Sequence, residues 1–562
     1  MTWGTRRALI IIFLLIVIIG IGVGVSMVNR VPSRSVLVLR VEGTIEEQRP
    51  MDIFSAFSGD SIPVTHDFTD ELDTARTDPR ISALVVRVGL LSTGWAKLEE
   101  IRSHILSFRS SGKPSICFLG GDGIGNPEIY VASACQQVWL VPTDPVDIRG
   151  MMAESTFLRG SLDKLHIIPD YYHIAEYKTA PNQLTEKKFT PAHRDEVQTL
   201  LGGIYNQYLT DVSQARGMDR AQFEKLLNSG PLSADEALSS KLVDKLAYWD
   251  QVREYVREKA GRWRELDWRQ YRSRVKNRGM TEIAVVHATG LIISGDSGNT
   301  PGGGFIMGGD SVASDLRKAR GDPSVKAIVL RIDSGGGSAV ASEVIRREVE
   351  LAKGVKPVVV SMSDVAASGG YWIAMSANKI VAEPDTITAS IGVFIGKLNV
   401  SGFMNMLGIS SDYVATSDNA TLFSFQQDFT PAQREWIQKS LQETYGRFTQ
   451  GVAAGRKMSV ADVDKIGKGR VWTGAQAKGF GLVDELGGLD KAIEVAKELA
   501  QISPGTRVRI ERFPREKTFF ELLMDRDQDD SARTLTLESI LKQAVGTPGT
   551  VQARMPFDLT IR

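Results

Sequence analysis

An internal repeat constrains this chain more than any other feature. The stretch SVLVLRVEGTI at 35–45 alternates like a strand and closes on Gly-x-Ile, and EIAVVHATGLI at 282–292 does the same. Asp78-Pro79 leads into ISALVVRV and Asp322-Pro323 into VKAIVLRI, with Arg87 and Arg331 at the same place in the two strands. Helical stretches follow at 97–108 and 341–353. Lys113-Pro114 and Lys356-Pro357 then introduce another pair of strands, and Tyr130 and Tyr371 open the next helices. The motif FTPA at 189–192 and again at 429–432 has the Thr cap and first-turn Pro of a helix start, and LVD recurs at 242–244 and 482–484. Strand–loop–helix units in series imply mainly parallel strands with helices packed on the faces. The expected architecture is α/β: two homologous domains at 35–255 and 281–500, a joint at 256–280, and a tail at 501–562 without a counterpart.

At 562 residues the chain is too long for one core. Its formal net charge is zero and no basic patch is interleaved with aromatics, so no nucleic-acid partner is expected. Residues 8–28 carry no charge and are dominated by Ile, Leu and Val, long enough to cross a bilayer as a helix. Arg6 and Arg7 before it favour a cytoplasmic N-terminus. A cleaved signal peptide is the rival reading, but the apolar core is too long and no clear small-x-small site follows. The expectation is an uncleaved single-pass anchor in the lipid bilayer, with the rest of the chain on the extracytoplasmic side. Cys117 and Cys135, the only cysteines, lie in apolar surroundings and read as two buried free thiols. They allow no metal cluster. The six histidines are scattered, and none lies beyond His287.

The copies differ where chemistry would sit. In the second, the β-branched run Val358, Val359, Val360 reads as a buried strand. Ser368-Gly369-Gly370 then opens an apolar helical segment. A serine at such a corner is presented at a helix N-terminus, where backbone N–H groups favour developing negative charge. The first copy has about Pro127 at this place, without a nucleophile. The second copy also holds a glycine loop, Asp333-Ser334-Gly335-Gly336-Gly337, where the first has the poorer Gly89-Leu90-Leu91-Ser92. Conversely, the first copy carries Lys178 in the semi-apolar YYHIAEYKTA, and the second has Ser417 or Asp418 near that position.

A serine and a lysine, one from each copy, would complement each other in a cleft between the domains. The hydroxyl needs a base to take its proton. A lysine serves only when neutral, and burial can lower its pKa from about 10.4 toward about 7–8. The oxyanion then needs two fixed donors: the N–H of Gly369, and one from the 335–337 loop, with Gly337 favoured. Taken singly, Ser368 reads as a helix N-cap, Lys178 as a surface lysine and the glycines as a turn. The repeat, the opposite losses in its two copies and the anchor together favour catalysis.

The run DSGGGS, ASEVIRREV, KPVVVSMSDVAASGGYWIA and ANKIVAEPDTITASIGVF resembles the signature of the signal peptide peptidase (protease IV) family in its long double-domain form. The resemblance covers nearly the whole length, and AASGGYW and SIGVF are its specific parts. It implies a Clp protease/crotonase-like fold and a Ser–Lys dyad serine protease, with Ser368 as nucleophile and Lys178 as general base. It further implies that Ser390, in ASIGV, hydrogen-bonds the lysine, and that the protein forms a homo-oligomer, a tetramer in the long form. The implied substrates are hydrophobic peptides such as signal-peptide remnants, cleaved on the outer side of the membrane without metal or cofactor. The glycine loop departs from the family's Asn-Ser-Pro-Gly-Gly, and the missing proline predicts a more flexible loop. Two rivals are a crotonase-like acyl-CoA enzyme, which would need neither Ser368 nor Lys178, and a non-catalytic membrane scaffold. In the tail, 519–524 and 535–541 read as short amphipathic pieces.

Overall fold

The computed structural model describes residues 30–49, 62–121, 123–275, 279, 281–300, 304–515, 551–554 and 560–561. The apolar run at 8–28 and the amphipathic pieces at 519–524 and 535–541 lie outside them. No helix among the described residues is long and apolar enough to cross a membrane.

The repeat is realised strand by strand. In the N-terminal half, Ser35–Gly43, Ile81–Leu91, Ser115–Leu119, Gln137–Leu140 and Lys245–Leu246 run parallel, each beside the next. In the C-terminal half, Thr281–Thr289, Val325–Ser334, Val358–Ala367, Lys379–Ala382 and Glu485–Leu486 do the same. Both faces of these strands are buried, which is why they read as near-continuous apolar runs. Val285, Val329 and Val359 pack on one face beneath the helix Leu489–Leu499, and Val286, Leu330 and Val360 on the other. The paired helices Pro191–Arg216 and Pro431–Arg456 are each 26 residues long. Each starts where the hydroxyl of Thr190 or Thr430 accepts from the N–H three residues on.

The repeat extends further than its sequence. Glu265–Asp267 lies parallel beside Ser35–Gly43, and Val508–Phe513 lies parallel beside Thr281–Thr289. The start of the tail therefore does have a counterpart, a short edge strand whose side chains share no motif with its twin. The cysteines also differ from expectation. Cys117 and Cys135 form a disulfide rather than two free thiols, because Ser115–Leu119 and the turn after helix Asn126–Ala132 bring their Cα atoms within 5.7 Å.

Backbone and charge both join the halves. Ile168–His173 of the first half pairs antiparallel with Phe394–Asn399 of the second. The two equivalent arginines have different fates. Arg87 stacks over the Trp249 ring at 4.7 Å. Arg331 is buried and reaches across to the carboxylates of Glu47 and Glu100, at 2.8 and 2.6 Å. Lys97 of the first half similarly donates to Asp333 at 2.8 Å and lies 3.0 Å from Asp364.

Candidate active site

Ser368 ends the buried strand Val358–Ala367, directly before the helix Gly369–Ala374. Its backbone is held at φ +54°, ψ −112°, while its N–H donates to the Ala389 carbonyl at 2.7 Å. Ser368 stands at the N-cap position, its carbonyl accepting from the Trp372 N–H at 2.8 Å, but its hydroxyl makes no cap bond to the helix. Ala389 and Ser390, facing it, also have positive φ, of +67° and +51°. Three non-glycine residues in this sparsely populated region, together in one place, mark a site whose surroundings hold it under strain.

Lys178 arrives from the other half. After Ile168–His173 has paired with Phe394–Asn399, the Ile174 N–H donates to the Val393 carbonyl and the Tyr177 N–H to the Lys468 carbonyl. The chain is thus guided along the C-terminal half to the point where Lys178 turns inward. Gly469 makes the approach possible: at φ +83°, a Cβ there would stand 2.5 Å from the Lys178 backbone nitrogen. The Lys178 Nζ lies 2.7 Å from Ser368 Oγ, 3.0 Å from Ser390 Oγ and 3.3 Å from the Ser390 carbonyl. Lysine and serine are both 0% exposed, which excludes a surface lysine.

Burial lowers the Lys178 amine from its usual 10.5 to about 7, with Glu196 pulling the other way. Desolvation disfavours the charged ammonium, and among the described residues no carboxylate hydrogen-bonds Nζ to restore it. An amine near 7 is half deprotonated at neutral pH. Once neutral, it can accept from the serine O–H while its own N–H groups donate to Ser390. The Ser390 hydroxyl donates to the Gly469 carbonyl at 3.2 Å, so its lone pairs face the lysine.

Glu196 went unnoticed in the sequence. It sits on the helix Pro191–Arg216, is buried, and accepts from the Val471 N–H at 2.8 Å and from the Thr179 hydroxyl at 3.0 Å. Burial raises its carboxyl to about 8. A glutamate in the second turn of an amphipathic helix carries no mark of such a place, so no signal in the sequence could have found it.

Of the five residues named from sequence, the structure brings Ser368, Lys178 and Ser390 into one hydrogen-bonded cluster. Gly369 follows Ser368 as the first helical residue, so its N–H has no intrahelical acceptor. Gly337 lies in the short strand Gly336–Ser338, at φ +153°, where a Cβ would overlap the Ile292 carbonyl oxygen at 2.2 Å. The glycine loop is pinned despite lacking proline. The Ser334 hydroxyl donates to the Gly290 carbonyl at 2.6 Å and accepts from the Gly336 N–H at 3.1 Å. Asp333 accepts from the Val365 N–H and from Lys97.

The family model described as Peptidase family S49 matches this chain twice, at residues 107–262 and 350–503. "Serine protease SPPA, chloroplastic" of Arabidopsis thaliana is 33% identical over 94% of this chain and 78% of its own length. "Protease 4" of Salmonella typhi is 35% identical over 84% of this chain and 77% of its own. Among solved structures, ClpP1 from Listeria monocytogenes covers 37% of this chain and 94% of its own, at 18% identity and a TM-score of 0.23, too slight a likeness to carry weight.

Proposed function

We propose, from the premise that this chain belongs to peptidase family S49, that its serine peptidase activity is carried by Ser368 as nucleophile and Lys178 as general base. The observation that carries this reading is the 2.7 Å contact between Lys178 Nζ and Ser368 Oγ, with the amine desolvated to a pKa of about 7. The serine oxygen attacks a peptide carbonyl as its proton passes to the lysine. Gly369 and Gly337 offer backbone N–H groups to the oxyanion. Collapse returns the proton to the leaving amine and leaves an acyl-enzyme on Ser368. Water, deprotonated by the same lysine, then hydrolyses the ester. Ser390 orients the amine. The sequence calls on no metal or organic cofactor.

The substrates we infer are hydrophobic peptides such as signal-peptide remnants, since Ala366, Ala367, Gly369 and Gly370 keep the corner slim enough for an extended chain. We place the two α/β units, each on a Clp protease/crotonase-like plan, on the extracytoplasmic side behind a bilayer anchor at 8–28. The Cys117–Cys135 disulfide supports an oxidising compartment. A homo-oligomer, with a tetramer favoured, is supported by the exposed apolar residues Leu407, Ile409, Tyr413 and Val414.

The test is hydrolysis of a fluorogenic signal-peptide-like peptide by the parent, Ser368→Ala and Lys178→Ala. Loss of cleavage in both variants, with unchanged circular dichroism, is expected. Normal cleavage by Lys178→Ala would defeat the assignment.

A further inference from the structure

The tail returns to the active site as a strand. Gln552–Arg554 pairs antiparallel with Gly336–Ser338 on one side, and Gln552 pairs antiparallel with Phe394 on the other. The short strand also lies against the helix Gly369–Ala374 that Ser368 opens. It therefore fills the gap between the glycine strand and the strand that follows Gly392, whose carbonyl lies 3.4 Å from the Ser368 hydroxyl.

Its register is informative. The Ala339 N–H donates to the Val551 carbonyl at 3.2 Å, which makes Ser338 and Gln552 a pair that exchanges no bonds. Antiparallel ladders alternate, so the next pair, Gly337 and Ala553, is the one whose N–H and C=O groups face each other. The Ala553 carbonyl is thereby assigned to the Gly337 N–H, the donor proposed for the oxyanion. Two residues earlier, Val551 packs against the apolar cluster that includes Ala339, Val393, Ile395 and Phe429. Further on, Thr560–Ile561 pairs antiparallel with Ala153–Glu154 of the N-terminal half, so the tail is held on both halves.

We propose that residues 551–554 are a built-in pseudosubstrate: they occupy the groove that takes an extended peptide, and a substrate must displace them. This rests on the protease reading above, which it deepens. The same register states what the groove selects. An apolar side chain enters the Val551 position, and the residue at 553 pairs through its backbone with Gly337, so the groove reads an apolar side chain two residues before that pair. β-strand addition of this kind draws affinity from main-chain bonds and selectivity from alternate side chains.

The test is done in the full chain. Ser368→Ala and Ser368→Ala/Ala553→Pro are titrated with a fluorescein-labelled synthetic peptide of residues 549–558, read by anisotropy. Proline removes the N–H that position 553 gives to the ladder. If the tail holds the groove about nine-tenths of the time, opening it tightens the peptide about tenfold. Val551→Asp in the Ser368→Ala background should act alike through its apolar pocket. In active protein, Ala553→Pro should lower KM several-fold at unchanged kcat, and the added peptide should inhibit it competitively. Equal affinity in all Ser368→Ala backgrounds would overturn the proposal. Tightening without hydrolysis by any Ser368-bearing form would leave the groove assignment standing and defeat the protease reading instead.

Discussion

The guanidinium of Arg331 grips Glu47 with two nitrogens, at 2.8 and 3.0 Å, and the pair is buried between the two halves of the chain. Glu100 completes the cluster, and the Arg331 guanidinium also donates to the Ser361 hydroxyl at 2.8 Å. Removing one partner of such a cluster leaves buried charge uncompensated. Arg331→Met should therefore cost about 3–5 kcal/mol in urea unfolding. Its repeat partner, Arg87→Met, gives up a stack on Trp249 and should cost about 1 kcal/mol. Equal costs would show that the interdomain cluster has no special weight.

With Lys178 as the proposed base, the lysine sets the pH dependence. Below about 7 the Lys178 amine holds a proton and cannot take one from Ser368, and above it the amine is free. The rate, kcat/KM, should rise with pH through about 7 and then level. Glu196, raised by burial to about 8, is itself mostly protonated through this range, so Glu196→Gln should leave the rise near 7. Stability follows the same group. The unfolded chain binds a proton at this amine up to its usual 10.5, whereas the folded chain releases it near 7. The contribution of Lys178 to stability should therefore grow as pH rises from 7 to 10.5. Lys178→Met should abolish activity and stabilise the fold at pH 7, as read by thermal unfolding.

Ser390 donates to Gly469 and accepts from Lys178. A hydrogen bond to a charged or developing-charge group is worth about 1.5–3 kcal/mol, so Ser390→Ala should lower kcat about 10- to 100-fold. The fold should be unaffected. A loss confined to KM would place Ser390 in substrate binding instead.

The Cys117–Cys135 disulfide closes a loop across 18 positions of the N-terminal half. Replacing both cysteines by serine should cost about 3 kcal/mol in a denaturant titration. The double variant should also lose all sensitivity to added dithiothreitol, while the parent keeps it.

Much of this was legible in the chain. Asp78-Pro79 with Asp322-Pro323, and Thr190-Pro191 with Thr430-Pro431, mark elements by local chemistry that survives divergence, so the repeat could be read directly. Ser368 and Lys178 stood out because each copy lacks what the other has. The edge strands Glu265–Asp267 and Val508–Phe513 were hidden because pairing there uses backbone alone. Glu196, Gly392 and Gly469 matter through burial and close approach to Lys178, properties of the docked halves that no single stretch records. The cysteine pairing was missed because apolar neighbours suit a thiol and a disulfide equally.

The strand pair Ile168–His173 with Phe394–Asn399 also governs when this chain becomes dangerous to its neighbours. During synthesis the first half emerges with Lys178 wet, charged and without a serine to deprotonate. The second half, when it follows, has a hydroxyl with no base. If Ser368 and Lys178 act as proposed, hydrolysis begins only when the halves close on each other and strip water from the amine. On the proposed assignment, docking of the two halves is what completes the site.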